Sequence, residues 1–184
     1  MKARYSGGAR GRAFALALLA LPAAWRCEAA QISEEQVQAT MLLQVMKFVD
    51  WPEQTAQGQM RICVLGGGRF QPTLEAAARN ETWHGRPITV AGIEKVSQAA
   101  DCQVLFVGAA SERDIQALIG RRDGPVLTVS HRDGFARRGG MVNFVNDQGR
   151  IGLEVNPSAG ERAGIRFSSK LLRLVRVVQS GVVN

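Results

Sequence analysis

Three cysteines and two histidines are the side chains of this sequence best suited to nucleophilic, redox or metal chemistry at neutral pH. Their spacing gives that chemistry little support. His84 and His131 fall in different predicted loops, and the chain holds no His-Glu-x-x-His, His-x-His or Cys-x-x-Cys arrangement, so no metal site is predicted. Ser130 and His131 are neighbours in the chain, which is not the strand-to-helix elbow of a Gly-x-Ser-x-Gly hydrolase. Gly66-Gly67-Gly68 follows an apolar strand and is the best candidate for a phosphate cradle. A dinucleotide fingerprint would need a further glycine where Gln71 stands, and a P-loop would need Gly-Lys-Ser/Thr where the chain has Gly68-Arg69-Phe70. The triple glycine is therefore read as a strand-to-helix turn. No catalytic residue and no cofactor are predicted, and the expected activity is binding rather than catalysis.

The remaining chemistry is that of the cysteines, and their compartment decides it. Residues 1–30 open with a positive stretch, Met1 to Arg12, and continue with an apolar run, Ala13 to Trp25. Small residues follow at Ala29 and Ala30. This is the order of a secretory signal peptide, and a run of about 13 apolar residues is short of the roughly 20 that span a bilayer. A leader over 1–30, cleaved after Ala29 or Ala30, would place a mature domain of residues 31–184 in the periplasm. Cleavage removes Cys27 and leaves Cys63 and Cys102 as an even pair in an oxidising compartment, where a bridge is expected. Closing a loop of about 40 residues contributes on the order of 4 kcal/mol in the chain-entropy view.

The same division disposes of the chain's charge. The net charge is +7, but Lys2, Arg4, Arg10, Arg12 and Arg26 against Glu28 put +4 of it in the leader and leave +3 for the mature domain. That is no broad basic footprint, so nucleic acid is not an expected partner.

Positioning these residues requires an alternating set of elements. Ser33 to Asp50 reads as a helix capped by Ser33, with Val37, Met41, Val45, Phe48 and Val49 as its buried stripe and Pro52 as its stop. Strands are predicted at Met60–Leu65, Ile88–Ile93, Cys102–Val107 and Pro125–Val129, with helices at Gln71–Arg79 and Ser111–Ile119 between them. Short apolar runs joined by helices imply a sheet buried on both faces with parallel strands. Met141–Val145 and Ile151–Val155, around Asn146-Asp147-Gln148-Gly149-Arg150, read as an antiparallel hairpin. Pro157 starts a short helix ended by Gly164, and Ser168 or Ser169 caps a C-terminal helix carrying Leu171, Leu172, Leu174 and Val175. The expected fold is a single Rossmann-like α/β domain with a mostly parallel sheet and a C-terminal antiparallel hairpin.

Several blocks in order carry a family resemblance. They are Lys47-Phe48-Val49-Asp50-Trp51-Pro52, Arg61-Ile62-Cys63-Val64-Leu65-Gly66, His84-Gly85-Arg86-Pro87 and Cys102-Gln103-Val104-Leu105-Phe106-Val107. Val126-Leu127-Thr128-Val129-Ser130, Gly134-Phe135, Gly139-Gly140-Met141-Val142-Asn143-Phe144, Glu154-Val155-Asn156 and Ser168-Ser169-Lys170-Leu171-Leu172-Arg173-Leu174 complete the set. Over nearly the whole mature length the chain resembles the YfiR family. The resemblance implies a periplasmic repressor that binds the sensing domain of a YfiN-type membrane-anchored diguanylate cyclase and keeps cyclic di-GMP low. It also implies a YfiB-type outer-membrane lipoprotein as a second partner, and a homodimer is compatible with it. A well-known member has a second cysteine pair in the hairpin region, which this chain lacks.

The patch expected to meet the partner is Phe144, Glu154, Asn156, Arg166, Leu171 and Leu174, a polar rim beside an apolar C-terminal stretch. The alternative is a periplasmic small-ligand-binding sensor module, with a cleft near Phe144 and the C-terminal helix, that feeds another membrane signalling protein.

Overall fold

In the computed structural model, which describes residues 32–53, 59–120 and 124–181, the first helix begins where its cap was expected. The leader expected over 1–30 lies outside the described residues. Helix α1 (Glu34–Met46) opens with a reciprocal box: Gln36 N–H donates to Ser33 Oγ at 3.2 Å, and Ser33 N–H donates to Gln36 Oε1 at 2.8 Å. It ends a turn earlier than the sequence reading placed it. Val49–Asp50 forms strand β1, paired antiparallel with β9 (Arg166–Phe167), and Ser168 N–H donates to the Phe48 carbonyl at 2.9 Å. The extended bias that Pro52 imposes on Trp51 thus runs back through Val49, whose branched side chain suits a strand. The buried stripe also turns, to Ala39, Leu42, Val45 and Met46, leaving Val37 and Met41 half-buried.

The other elements are β2 (Met60–Leu65), α2 (Phe70–Ala78), β3 (Thr82–Trp83), β4 (Arg86–Ile93), a 3-10 turn (Val96–Asp101), β5 (Val104–Val107), α3 (Glu112–Gly120), β6 (Leu127–Ser130), β7 (Val142–Asp147), β8 (Arg150–Val155), α4 (Pro157–Arg162), α5 (Ser169–Leu172) and β10 (Arg176–Val177). Eight strands form one curled sheet in the order β10-β8-β7-β6-β5-β2-β4-β3. Its pairings are parallel except for the β7–β8 and β3–β4 hairpins. The mixed α/β class and the mostly parallel sheet agree with the sequence reading. So does the β7–β8 hairpin, whose two-residue turn places Gln148 at φ +52° and Gly149 at φ +81°, the paired positive values of a type I′ turn.

The C-terminus differs from its reading. Only one helical turn, α5, forms there. The chain then extends as β10, parallel to β8, with Val178 N–H donating to the Val155 carbonyl at 2.8 Å. Val175, Val177 and Val178 are β-branched, and the open edge of β8 offers their backbone groups partners that an isolated helix end would lack.

Strand alternation divides the interior into two cores. On the first face Val64, Phe106, Val129, Val142 and Val155 lie in one row across five strands, beneath Leu42, Met46, Phe70 and Leu74. Phe70 stacks on Phe106 with ring centroids 3.8 Å apart. On the second face Cys63, Leu65, Leu105 and Val107 pack with Ile115, Leu118 and Phe135. Cys63, in the middle of β2, is bridged there to Cys102, just before β5, with Cα atoms 5.9 Å apart and 39 positions between them in sequence. The bridge ties two strands that are already hydrogen-bonded neighbours, so its main effect is on the unfolded chain. Replacing both cysteines by alanine should therefore lower the unfolding free energy by on the order of 4 kcal/mol while leaving the native far-ultraviolet spectrum unchanged. Urea titrations of the oxidised protein and the double variant measure this, and a difference under about 1 kcal/mol would refute it.

Candidate functional site

The second face of the sheet changes character from one end to the other. Leu65, Val107, Ser130, Asn143, Glu154 and Arg176 occupy one row across β2, β5, β6, β7, β8 and β10. Its first two members are apolar. The next three are polar and no more than 3% exposed. Among the described residues no helix packs on these three side chains. The segment between β6 and β7, residues 131–140, crosses it as a chain of turns and sends Phe135 into the second core.

A carboxylate buried in such a row requires cationic partners. Arg137, from the crossing segment, donates through Nη2 to Glu154 Oε1 at 2.7 Å and through Nε to Oε2 at 3.5 Å. Arg176, from β10, donates through Nη1 to the same Oε1 at 3.4 Å and lies 3.9 Å from Asp147. The hydrogen bond from Arg137 holds the Glu154 carboxyl below the usual glutamate range, against the opposing effect of burial, and Arg176 adds to the lowering. Asn156 makes a second tie. Its Oδ1 accepts from the Ala159 N–H at 3.1 Å as the cap of α4, while Nδ2 donates to the Ala136 carbonyl at 2.8 Å and to Ser180 Oγ at 2.9 Å. Gly181 N–H donates to the Arg137 carbonyl at 3.0 Å. Glu154 and Asn156 thus hold the crossing segment and the C-terminal segment together.

The other residues of the expected patch are scattered. Phe144 and Leu171 are buried in the first core. Arg166 is exposed on β9, in the separate two-stranded sheet opposite Asp50. Leu174 is 81% exposed and Val177 49%, close together on the outer segment that carries β10. The exposed apolar surface of the patch is therefore Leu174 with Val177, flanked by Arg173 and Arg176. Arg137 and Arg176 were missed by sequence reading. The available signal was Glu154 itself, an acid between Leu153 and Val155 in a strand whose inward positions on both sides are occupied.

The glycines at the strand ends answer the phosphate question. In a doubly wound sheet, ligands enter between neighbouring strands whose connections run in opposite directions, here β2 and β5. That crevice is sealed. Gly108 N–H donates to the Leu65 carbonyl and Ala109 N–H to the Gly66 carbonyl, both at 2.8 Å. A Cβ on Gly66 would lie 2.1 Å from the Ala109 carbonyl oxygen, so the glycine allows two backbones to meet rather than a phosphate to enter. His84 and His131 are both exposed. No group of three metal-ligating side chains occurs among the described residues, and no helix among them is long and apolar enough to cross a membrane.

Residues 35–176 match a family model described as YfiR/HmsC-like. Among solved structures the chain is similar to a conserved domain protein from Vibrio cholerae O1 biovar eltor, at 12% identity and a TM-score of 0.52, over 79% of this chain. The match spans only 60% of that protein's length, and at this identity it shows a shared fold alone.

Glu154 gives a pH prediction with a definite sign. Its carboxyl ionises more readily folded than unfolded, so its stabilising contribution is complete above the unfolded value, near 4.3, and fades as pH falls through the lower folded value. Glu154→Gln should cost about 1.5–3 kcal/mol at neutral pH, and the deficit relative to wild type should shrink toward acid. Urea unfolding of both proteins between neutral and strongly acidic pH measures the two curves. A deficit that stays constant or grows toward acid would contradict the assignment.

Proposed function

The chain belongs to the YfiR/HmsC-like family, and on that premise we propose that it is a periplasmic regulator that restrains a membrane-anchored diguanylate cyclase by binding its sensing domain. Family membership over residues 35–176 is the observation that carries the reading. The mature protein begins near residue 31 and folds as a domain over 31–184, joined by the Cys63–Cys102 bridge in an oxidising compartment. Repression needs no chemistry. A protein that binds the quiet conformation of the sensor better than the active one shifts the population by that difference in affinity. A lipoprotein of the outer membrane that binds the same protein would relieve the cyclase by competition.

Within this reading the six candidate residues take two roles. Leu174 and Arg166 stand at the surface and meet the partner, with Val177 beside Leu174 extending the apolar contact. Phe144, Glu154, Asn156 and Leu171 lie beneath and fix the segments that carry them. The geometry at β10 supports this division. A two-residue edge strand with exposed apolar side chains and flanking arginines can be covered by a partner, while its brevity and charge discourage indiscriminate strand pairing.

Deleting the gene in its native strain should raise cyclic di-GMP, and complementation with wild type should restore the low level. Leu174→Asp should fail to complement although the purified variant keeps wild-type stability, because Leu174 contributes to contact rather than to the core. Extraction and quantification of cyclic di-GMP in the three strains is the measurement. Full complementation by Leu174→Asp would remove β10 from the docking surface, and unchanged levels in the deletion strain would remove the cyclase.

A further inference from the structure

We infer that residues Ala136–Gly140 form a hinged cover over the polar end of the sheet, latched by Arg137 on Glu154, and that this cover opens locally while the rest of the fold stays closed. The first observation is an orphan. Asn143, in the centre of β7, has no solvent exposure, and both its Oδ1 and its Nδ2 lack a hydrogen-bond partner among the described residues. An amide so placed weighs against the closed state, since opening would give both atoms water. Asn143 stands in the same row as Ser130 and Glu154, directly between them.

The second observation is how the crossing segment is held. Its upstream end is anchored: Arg132 donates from its backbone to Ser130 Oγ at 3.1 Å and from Nη1 to the Ala110 carbonyl at 2.8 Å, and Phe135 is fully buried in the second core. Its downstream end is anchored where Met141 N–H donates to Thr128 Oγ1 at 3.1 Å. Between these fixed points Ala136 is buried, but the ties to the C-terminal segments are polar. The segment is tied by the Arg137–Glu154 pair, by Asn156 on the Ala136 carbonyl and by Gly181 on the Arg137 carbonyl, with its own short-range turns at Arg138, Gly139 and Gly140. Arg137 is exposed over more than half of its side chain, so the latch is reached from solvent. Ala136 is fully buried, and Gly139 and Gly140 lie close against Ile119 and the Phe135 ring, so apolar packing is confined to the two ends. The middle, Arg137 and Arg138, is exposed and tied to the body by polar contacts beside a buried group that gains from water, as sub-global opening requires. The cover belongs to the fold and does not depend on what docks at β10.

Native-state hydrogen exchange of the oxidised mature protein tests this with substitutions of opposite sign. In Arg137→Ala the amides of Arg138, Gly139, Gly140 and Gly181 should exchange about tenfold faster, while those of Phe135, Gln103 and Gly108 keep their wild-type rates. Glu154→Gln should reproduce that pattern from the other side of the latch. Asn143→Val should slow the same four amides several-fold, because the closed state then buries no unpaired amide. Three results would overturn the inference. One is unchanged rates at the four amides in Arg137→Ala, and another is acceleration that extends equally to Gly108, which would mean opening only with the whole molecule. The third is faster exchange in Asn143→Val, as expected if an internal water held the amide in the closed state.

Discussion

A charged group in the interior of a sheet must be neutralised by whatever chain lies above it, and Glu154 imposes that requirement on the C-terminal third of this protein. Most of the sheet satisfies two-sided burial in the ordinary way, with apolar residues on both faces and helices or the 3-10 turn over them. At β7 and β8 the second face carries an amide and a carboxylate instead. The connection from β6 to β7 is too short to include the crossover helix that usually joins parallel strands. It covers this face by supplying Arg137, and the chain beyond β8 returns to supply Arg176. Arg176 thus joins the backbone pairing on β8 in holding β10, the strand beside which Leu174 stands exposed.

This arrangement separates what holds the surface from what the surface presents. Asn156 caps α4 while tying both covering segments, so one side chain links the helix that leads to β9 with the strap that follows α5. A change at Glu154 or Asn156 would reach a partner indirectly, through the position of β10. A change at Leu174 would reach it directly. The glycine-sealed strand ends make the same point at the other end of the fold, where the site that doubly wound sheets often use for ligands is filled by backbone.

Much of this was legible in the sequence, and the rest was hidden for identifiable reasons. The buried parallel strands announced themselves as short apolar runs, and the cysteine pair was readable once its compartment was inferred. The hairpin was signalled by Asn146, Asp147 and Gly149, and the structure narrows its turn to Gln148-Gly149. The early end of α1 was not legible, because β1 exists only through pairing with β9, far away in sequence. The C-terminal leucines suggested a helix, but the edge of β8 drew the valines after them into a strand. Glu154 and Asn156 looked like a rim because burial on the second face depends on a turn-rich segment with no periodicity to read, while Phe144 and Leu171 are buried in the first core. Arg137 and Arg176 lie in stretches where an arginine ordinarily faces solvent, and only the position of Glu154 across the sheet gives them a task.

The pairing of β1 with β9 also constrains the order of events in the life of the chain. Val49 finds Phe167 only after nearly all the intervening sequence has been made, so strand β1 lacks its partner until then, whereas α1 packs on α2, which follows it closely in sequence. The small two-stranded sheet thus joins an early segment to a late one and cannot close until both have been made.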